Sequence, residues 1–293
     1  MQLKGLYIPV TTPFIDDKIA PEKLGFNLEK LQPIELAGYV LFGSSGEAPY
    51  LSKDERVTLL KAARKSIPGS KSLVVGTGYE STAETKECTR VAADSGADAV
   101  LVLTPNYYKP QMTDDVFVRH YEAIADQSPV PVILYNVPVF TGVDMSANAV
   151  KRLSAHEKII GIKDSTANLA KLIELANLPR KTFSLMIGNA TNFLSGLFLG
   201  AAGAILAIGN IAARECVEIH RCYQEKSFEQ ARNVFLRVLP LATRLIGPHG
   251  VPAIKAAMDM QGFFGGLPRA PLLPADTKLL TEMKELLRTA ELL

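Results

Sequence analysis

Eight short apolar runs, each followed by a segment of helical period, recur along this chain of 293 residues, and that alternation narrows the possible folds more than any other feature. The runs are LYIPVTT from Leu6, GYVLFGS from Gly38, SLVVGTG from Ser72, AVLVLTP from Ala99, VPVILYN from Val130, IIGIKDS from Ile159, SLMIGN from Ser184 and GAILAIG from Gly203. Each is apolar on both faces, the pattern of parallel strands covered by helices. Two helix starts carry capping-box spacing, Ser52-Lys-Asp-Glu55 and Ser81-Thr-Ala-Glu84, in which the serine and glutamate satisfy backbone donors that a first turn leaves open. Connections are short, and no Ser/Gly/Pro linker separates two halves. Eight strand–helix units predict an α/β fold, a (β/α)8 TIM barrel. An open doubly wound sheet is the alternative, but no GxGxxG follows the first strand, and GTG at Gly76 to Gly78 is too short to serve. After Arg214 the pattern is helical only, with helices expected over Glu215–Glu225, Phe228–Leu245 and Val251–Gln261 and a last one from Thr277. The organisation expected is a barrel over residues 1–226, with a helical extension over 227–293 packed on it.

Charge and cysteine content narrow the partners. Lys plus Arg total 32 against 30 Asp plus Glu, with no dense basic run and no aromatic-basic interleaving, which argues against nucleic acid. Three cysteines, Cys88, Cys216 and Cys222, form no CxxC pair and suit a reducing compartment as inert thiols. Pro9 and Pro13 fall where a signal peptide needs an unbroken apolar core, so a cytoplasmic location is expected. No charged residue lies between Lys181 and Arg214, yet Gly188, Asn189, Thr191, Asn192, Gly200 and Gly203 divide that stretch. It reads as strand, helix, strand, and not as a membrane span of about 20 apolar residues. His120, His156, His220 and His249 show no HxH or HxxxH pairing, so no metal is expected.

Within IIGIKDS a lysine, Lys163, interrupts an otherwise apolar strand, and side-chain alternation puts it on the face of Gly161, with Ile160 and Ile162 opposite. An ammonium held in an apolar interior loses solvation, which favours the free amine that attacks a ketone to form a Schiff base. The alternative is a strand-end lysine whose ammonium reaches water. Barrel enzymes place their chemistry at the carboxyl ends of the strands. There this chain has Thr11 and Thr12, Gly43-Ser-Ser-Gly-Glu47, Tyr107 and Tyr108, Tyr135 and Asn136, Lys163 and Asn189. Taken singly, GSSGE could be a plain turn and YNVP a strand stopped by proline. Together they fit carbon–carbon bond making or breaking beside a keto acid. A Schiff base on Lys163 would act as the electron sink. Ser44 and Ser45, with backbone N–H groups beside the flanking glycines, could receive the keto-acid carboxylate. Tyr135 could move protons, relayed through Ser44 to Tyr107. Glu47 and Asp164 are expected to organise their loops.

The ordered motifs PVTTPF, GSSGE, TPNYYKP, YNVP and GIKDS, with the extra helices, resemble the dihydrodipicolinate synthase and N-acetylneuraminate lyase family of Schiff-base pyruvate aldolases from end to end. That resemblance implies Lys163 as the Schiff-base lysine, Tyr135 as the catalytic tyrosine, Ser44 as the relay hydroxyl and Ser45 as a pyruvate-carboxylate ligand, with Thr11 and Gly46 beside it. Tyr107 matches a tyrosine that crosses into a neighbouring subunit's site, which implies a homodimer or homotetramer. No cofactor beyond the covalent Schiff base is implied; the small-molecule partners are pyruvate and an aldehyde. One departure is informative. The synthases usually read YNVPxRTG, with the arginine binding the aspartate semialdehyde carboxylate, and here Phe140 stands in its place in YNVPVFTG. A neutral ring cannot replace a bidentate, charge-assisted pair, a loss on the order of 2 to 5 kcal/mol for a synthase. The segments GYESTAET, GADAVLVLTPNYYKPQM and GVPAIKAAMDMQGFFGGLPRAPL look closer to 4-hydroxy-2-oxoglutarate aldolase, the activity expected from sequence, with cleavage to pyruvate and glyoxylate. Phe140, Ser165, Asn189 and Ile205 would line the second-substrate pocket, although Ser165 could instead cap the following helix. The alternatives are dihydrodipicolinate synthase, a related sugar-acid aldolase or decarboxylating dehydratase, and a catalytically idle barrel that binds keto acids.

Overall fold

The computed structural model describes residues 3–178 and 182–293, so Lys181, which bounds the uncharged stretch, lies outside the described residues. All eight expected strands form, at Gly5–Pro9, Gly38–Leu41, Ser72–Gly76, Ala99–Leu103, Val132–Asn136, Ile159–Asp164, Ser184–Ile187 and Gly203–Ile205. They follow one another in hydrogen-bonded order around a closed barrel of parallel strands. Nearly every strand residue is buried, as expected where both faces are covered.

The chain resolves into two compact units. One comprises the residues through Gly5 together with Ser72–Ile205, the other Leu6–Lys71 together with Leu206–Leu293. In the first, the third to eighth strands alternate with helices at Thr82–Asp94, Asp114–Gln127, Ala147–Leu153, Leu169–Ala176 and Phe193–Phe198. The fifth and sixth strands pair in a register that sets Tyr135 against Lys163 and Asn136 against Asp164. Gly161 is required here: a methyl group on it would lie 2.5 Å from the Ser184 carbonyl oxygen and 2.9 Å from a Leu3 methyl. The stretch after Thr182 is strand, helix and strand, and no helix among the described residues is long and apolar enough to cross a membrane.

In the second unit the first two strands pair Tyr7 with Gly38 and Pro9 with Val40. The helix Lys53–Ser66 starts on the full reciprocal box, Ser52 Oγ accepting from the Glu55 N–H while the Glu55 carboxylate accepts from the Ser52 N–H. At Ser81 in the first unit the hydroxyl accepts from the Glu84 N–H, whereas the Glu84 carboxylate meets the Cys88 thiol. The C-terminal helices are Ala213–Gln224, Phe228–Pro240, Gly247–Met260 and Thr277–Thr289. The single helix expected over Phe228–Leu245 is corrected: it stops at Pro240 and continues as a wider π-type turn over Leu241–Ile246. Pro240 has no N–H for the helical ladder and its ring crowds the preceding turn. Gly250, at φ 57° and ψ −136°, interrupts the next helix just before Val251, where a start was expected.

Candidate active site

The residues singled out from sequence fall in both units. In the first, Lys163 lies next to last in the sixth strand and is only 4% exposed, and Tyr135, its register partner on the fifth, is 5% exposed. The Lys163 Nζ sits 4.2 Å from the centre of the Tyr135 ring, a cation–π distance inside a buried environment. The strand-end reading, with the ammonium in water, is overturned by this burial. The amine stands over the phenol ring, which puts a candidate nucleophile beside a candidate proton carrier.

What holds them there was not evident from sequence. Asn136 and Asp164, the residues that follow Tyr135 and Lys163, are fully buried and bonded to each other, Asn136 Nδ2 donating to Asp164 Oδ2 at 2.9 Å. Asn136 Nδ2 also donates to Asp144 Oδ1 at 2.8 Å, and Asn136 Oδ1 accepts from the Met145 N–H at 2.9 Å. The other oxygen of Asp164 accepts from the Thr166 N–H at 3.0 Å and its hydroxyl at 2.5 Å. Lys171, from the next helix, pairs with Asp144 and stands 3.6 Å from Asp164. A buried carboxylate survives only when it is paired and bonded in this way. The network ties the two strands together one residue beyond Lys163 and Tyr135. The expectation that Asp164 organises its loop fits these bonds.

Gly188 closes the other flank. Its N–H donates to the Asp164 carbonyl at 2.7 Å, and a methyl group on it would overlap the Ser165 Oγ and lie 3.1 Å from Lys163 Cε. The Ser165 hydroxyl and the lysine stem therefore both border Gly188. It does not cap the following helix; Asn168 does, accepting from the Lys171 N–H at 3.1 Å. Asn189 Oδ1 accepts from the Thr191 N–H and hydroxyl at 3.0 and 2.8 Å, so that oxygen caps its own turn. Ile205 is fully buried in the last strand. Tyr107 and Phe140 differ from these: the residues are 74% and 69% exposed, on the loop after the fourth strand and on the short helix Pro138–Thr141.

In the second unit, Ser44–Gly46 form a single 3₁₀ turn after the extended Gly43. Thr12 Oγ1 donates to the Gly46 carbonyl at 2.7 Å, and the buried Thr11 hydroxyl donates to the Met258 sulfur at 3.4 Å. Ser45 and Gly46 are buried, Ser44 half-buried. Glu47, in the left-handed region at φ 54°, ends the turn, and its carboxylate pairs with the fully buried Lys255 at 2.6 Å. Glu47 also accepts from the Arg269 N–H at 2.8 Å. Burial pushes the Lys255 amine down from its ordinary range, partly offset by Glu47. Lys255 was not singled out from sequence; a lysine between VPAI and AAMDM carried no signal but its apolar setting. Among the described residues no group of three or more His, Cys, Asp or Glu side chains is placed to hold a metal ion.

Comparison with known proteins accords with this geometry. The model of the dihydrodipicolinate synthetase family matches residues 2–290. The chain belongs to that family. Its members are carbon–carbon lyases that work as Schiff-base aldolases on pyruvate, and this chain is one of them. The 4-hydroxy-tetrahydrodipicolinate synthase of Kosmotoga olearia is 34% identical over 278 residues, covering 94% of each chain. The probable mitochondrial 4-hydroxy-2-oxoglutarate aldolase of Emericella nidulans is 33% identical over 290 residues, covering 96% of this chain and 93% of that one. The dihydrodipicolinate synthase of Acinetobacter baumannii, solved in complex with pyruvate, superposes with a TM-score of 0.94 at 29% identity over the full length of both chains.

Proposed function

We propose that this family member forms the enamine of pyruvate on Lys163 and joins it to, or releases it from, an aldehyde. The observation that carries this reading is the buried Lys163 amine 4.2 Å from the Tyr135 ring centre. The amine attacks the pyruvate ketone, water leaves from the carbinolamine, and loss of a C3 proton from the iminium gives the enamine nucleophile. Tyr135 carries protons, with Ser44 as the relay hydroxyl and Tyr107 completing it. Ser45, Thr11 and Gly46 receive the pyruvate carboxylate. Ser165, Asn189, Phe140 and Ile205 border the second substrate. The exposure of Tyr107 supports a homodimer or homotetramer in which that ring meets a second copy of the chain. Three thiols, two of them buried, support a cytoplasmic location.

For the aldehyde, the relatives favour aspartate semialdehyde, since most of the similar curated proteins carry the 4-hydroxy-tetrahydrodipicolinate synthase name. The preference for 4-hydroxy-2-oxoglutarate drawn from sequence segments has the E. nidulans protein behind it and becomes the second reading. Phe140 is the specific observation that keeps it, because an exposed neutral ring stands where the synthases carry arginine. Parallel assays decide between them. Condensation of pyruvate with aspartate semialdehyde, alongside intact 4-hydroxy-2-oxoglutarate, supports the synthase. The reverse result, with Phe140→Arg raising condensation, supports the aldolase.

A further inference from the structure

The third strand, Ser72–Gly76, runs into a turn whose Gly78 packs directly on Leu103, the last residue of the fourth strand: a methyl group there would overlap the Leu103 nitrogen and lie 2.9 Å from its Cβ. This close approach, open only to glycine, lays the turn alongside the start of the loop that bears Tyr107. The turn is held on its other flank as well. The Tyr79 N–H donates to Thr85 Oγ1 at 3.0 Å, and the fully buried Thr85 hydroxyl faces the Tyr79 and Ser81 carbonyls at 3.2 and 3.0 Å. Glu80 projects from this rigid turn, and one of its oxygens, Oε2, accepts from the N–H of Asn106 and the N–H of Tyr107, both at 2.8 Å. Two N–H groups converging on one carboxylate oxygen make a charge-assisted clamp. The loop's own side-chain anchor is weaker, Asn106 Nδ2 to the Thr104 carbonyl at 3.3 Å. Within the chain, Tyr107 is 74% exposed, its ring set edge-on to Tyr108 at 5.0 Å.

We propose that Glu80 is a positioning residue for Tyr107: by fixing the Tyr107 backbone it sets where that phenol is presented for proton transfer. The inference rests on the reading that Tyr107 serves the reaction. A half-reaction free of the unsettled aldehyde tests it. An enamine on Lys163 exchanges the C3 protons of pyruvate with solvent, so deuterium entry into the pyruvate methyl in D₂O, followed by proton NMR, reports the pyruvate chemistry alone. Glu80→Ala is expected to lower the maximal exchange rate on the order of 10-fold, with half-saturating pyruvate changed less than about 2-fold. Glu80→Gln keeps a carbonyl oxygen at the same reach and is expected to restore most of the rate. Tyr107→Phe is expected to be slow, and Glu80→Ala added to it to cost nothing more, because both changes remove one function.

Full exchange by Glu80→Ala beside a slow Tyr107→Phe would overturn the proposal and leave the Tyr107 reading standing. So would multiplying losses in the double variant, or a Glu80→Gln as slow as Glu80→Ala. Full exchange by Tyr107→Phe, or none by the unmodified chain, would overturn the reading and the proposal together.

Discussion

Gly188→Ala probes how tightly Lys163, the proposed Schiff-base lysine, is packed. The new methyl would overlap the Ser165 Oγ, and it would lie 2.9 Å from the Asp164 carbonyl oxygen and 3.1 Å from Lys163 Cε. The serine hydroxyl can rotate away. The Asp164 carbonyl cannot, since it accepts the Gly188 N–H itself at 2.7 Å, and reaching ordinary contact near 3.4 Å requires a shift of 0.5 Å between the two strands. Overpacking of this kind costs about 1 to 3 kcal/mol. A misplacement of 1 Å in a reacting group costs about 10²-fold, so half that shift should slow Schiff-base formation on the order of 10-fold. The rate of borohydride-trapped pyruvate adduct measures the second effect and urea denaturation the first. Adding Ser165→Gly removes the nearest overlap but not the carbonyl clash, so it should return part of the stability and little of the rate. A Gly188→Ala chain with unchanged stability and trapping rate would refute the close packing of Gly188 against Lys163.

Other perturbations test the supporting networks. Lys171→Met leaves Asp144 and Asp164 converging on Asn136 without a cation and should cost about 3 kcal/mol in urea denaturation. Glu47→Gln strips Lys255, which is fully buried, of its counter-charge and should cost about 3 to 5 kcal/mol, whereas Glu47→Gln with Lys255→Met should cost less than Glu47→Gln alone. His120 is buried against Thr82, its Nδ1 2.9 Å from the Thr82 hydroxyl, and burial pushes its pKa down from 6.5 to about 4. The folded chain therefore refuses a proton that the unfolded chain binds. Its contribution is complete above pH 6.5 and is lost as pH falls towards 4, by about 3 kcal/mol in all. Replacing His120 with Gln should flatten that part of the stability-against-pH curve, and an unchanged slope would assign it elsewhere.

The eight strands could be read from sequence because doubly covered strands are continuously apolar, a local signal that needs no knowledge of partners. Lys163 stood out by the same logic, as a charge within such a run. Partnerships were harder to see. Lys171 with Asp164, Lys255 with Glu47, and Glu80 with the Tyr107 backbone join residues on different elements, and no local pattern marks which charge will meet which. Gly188 looked like a breaker of an apolar stretch, and its reason is a close approach to Lys163 that only the fold creates. Pro240 was a visible stop signal inside the helix expected to reach Leu245, and a helical period that continued past it masked that signal.

If Lys163 is the nucleophile, borohydride reduction in the presence of pyruvate should trap the pyruvate on it as a stable amine. Peptide mass spectrometry should find a reduced pyruvyl adduct on Lys163, dependent on pyruvate and absent from Lys163→Ala. Unmodified Lys163 in folded, pyruvate-saturated protein would remove Lys163 as the Schiff-base residue.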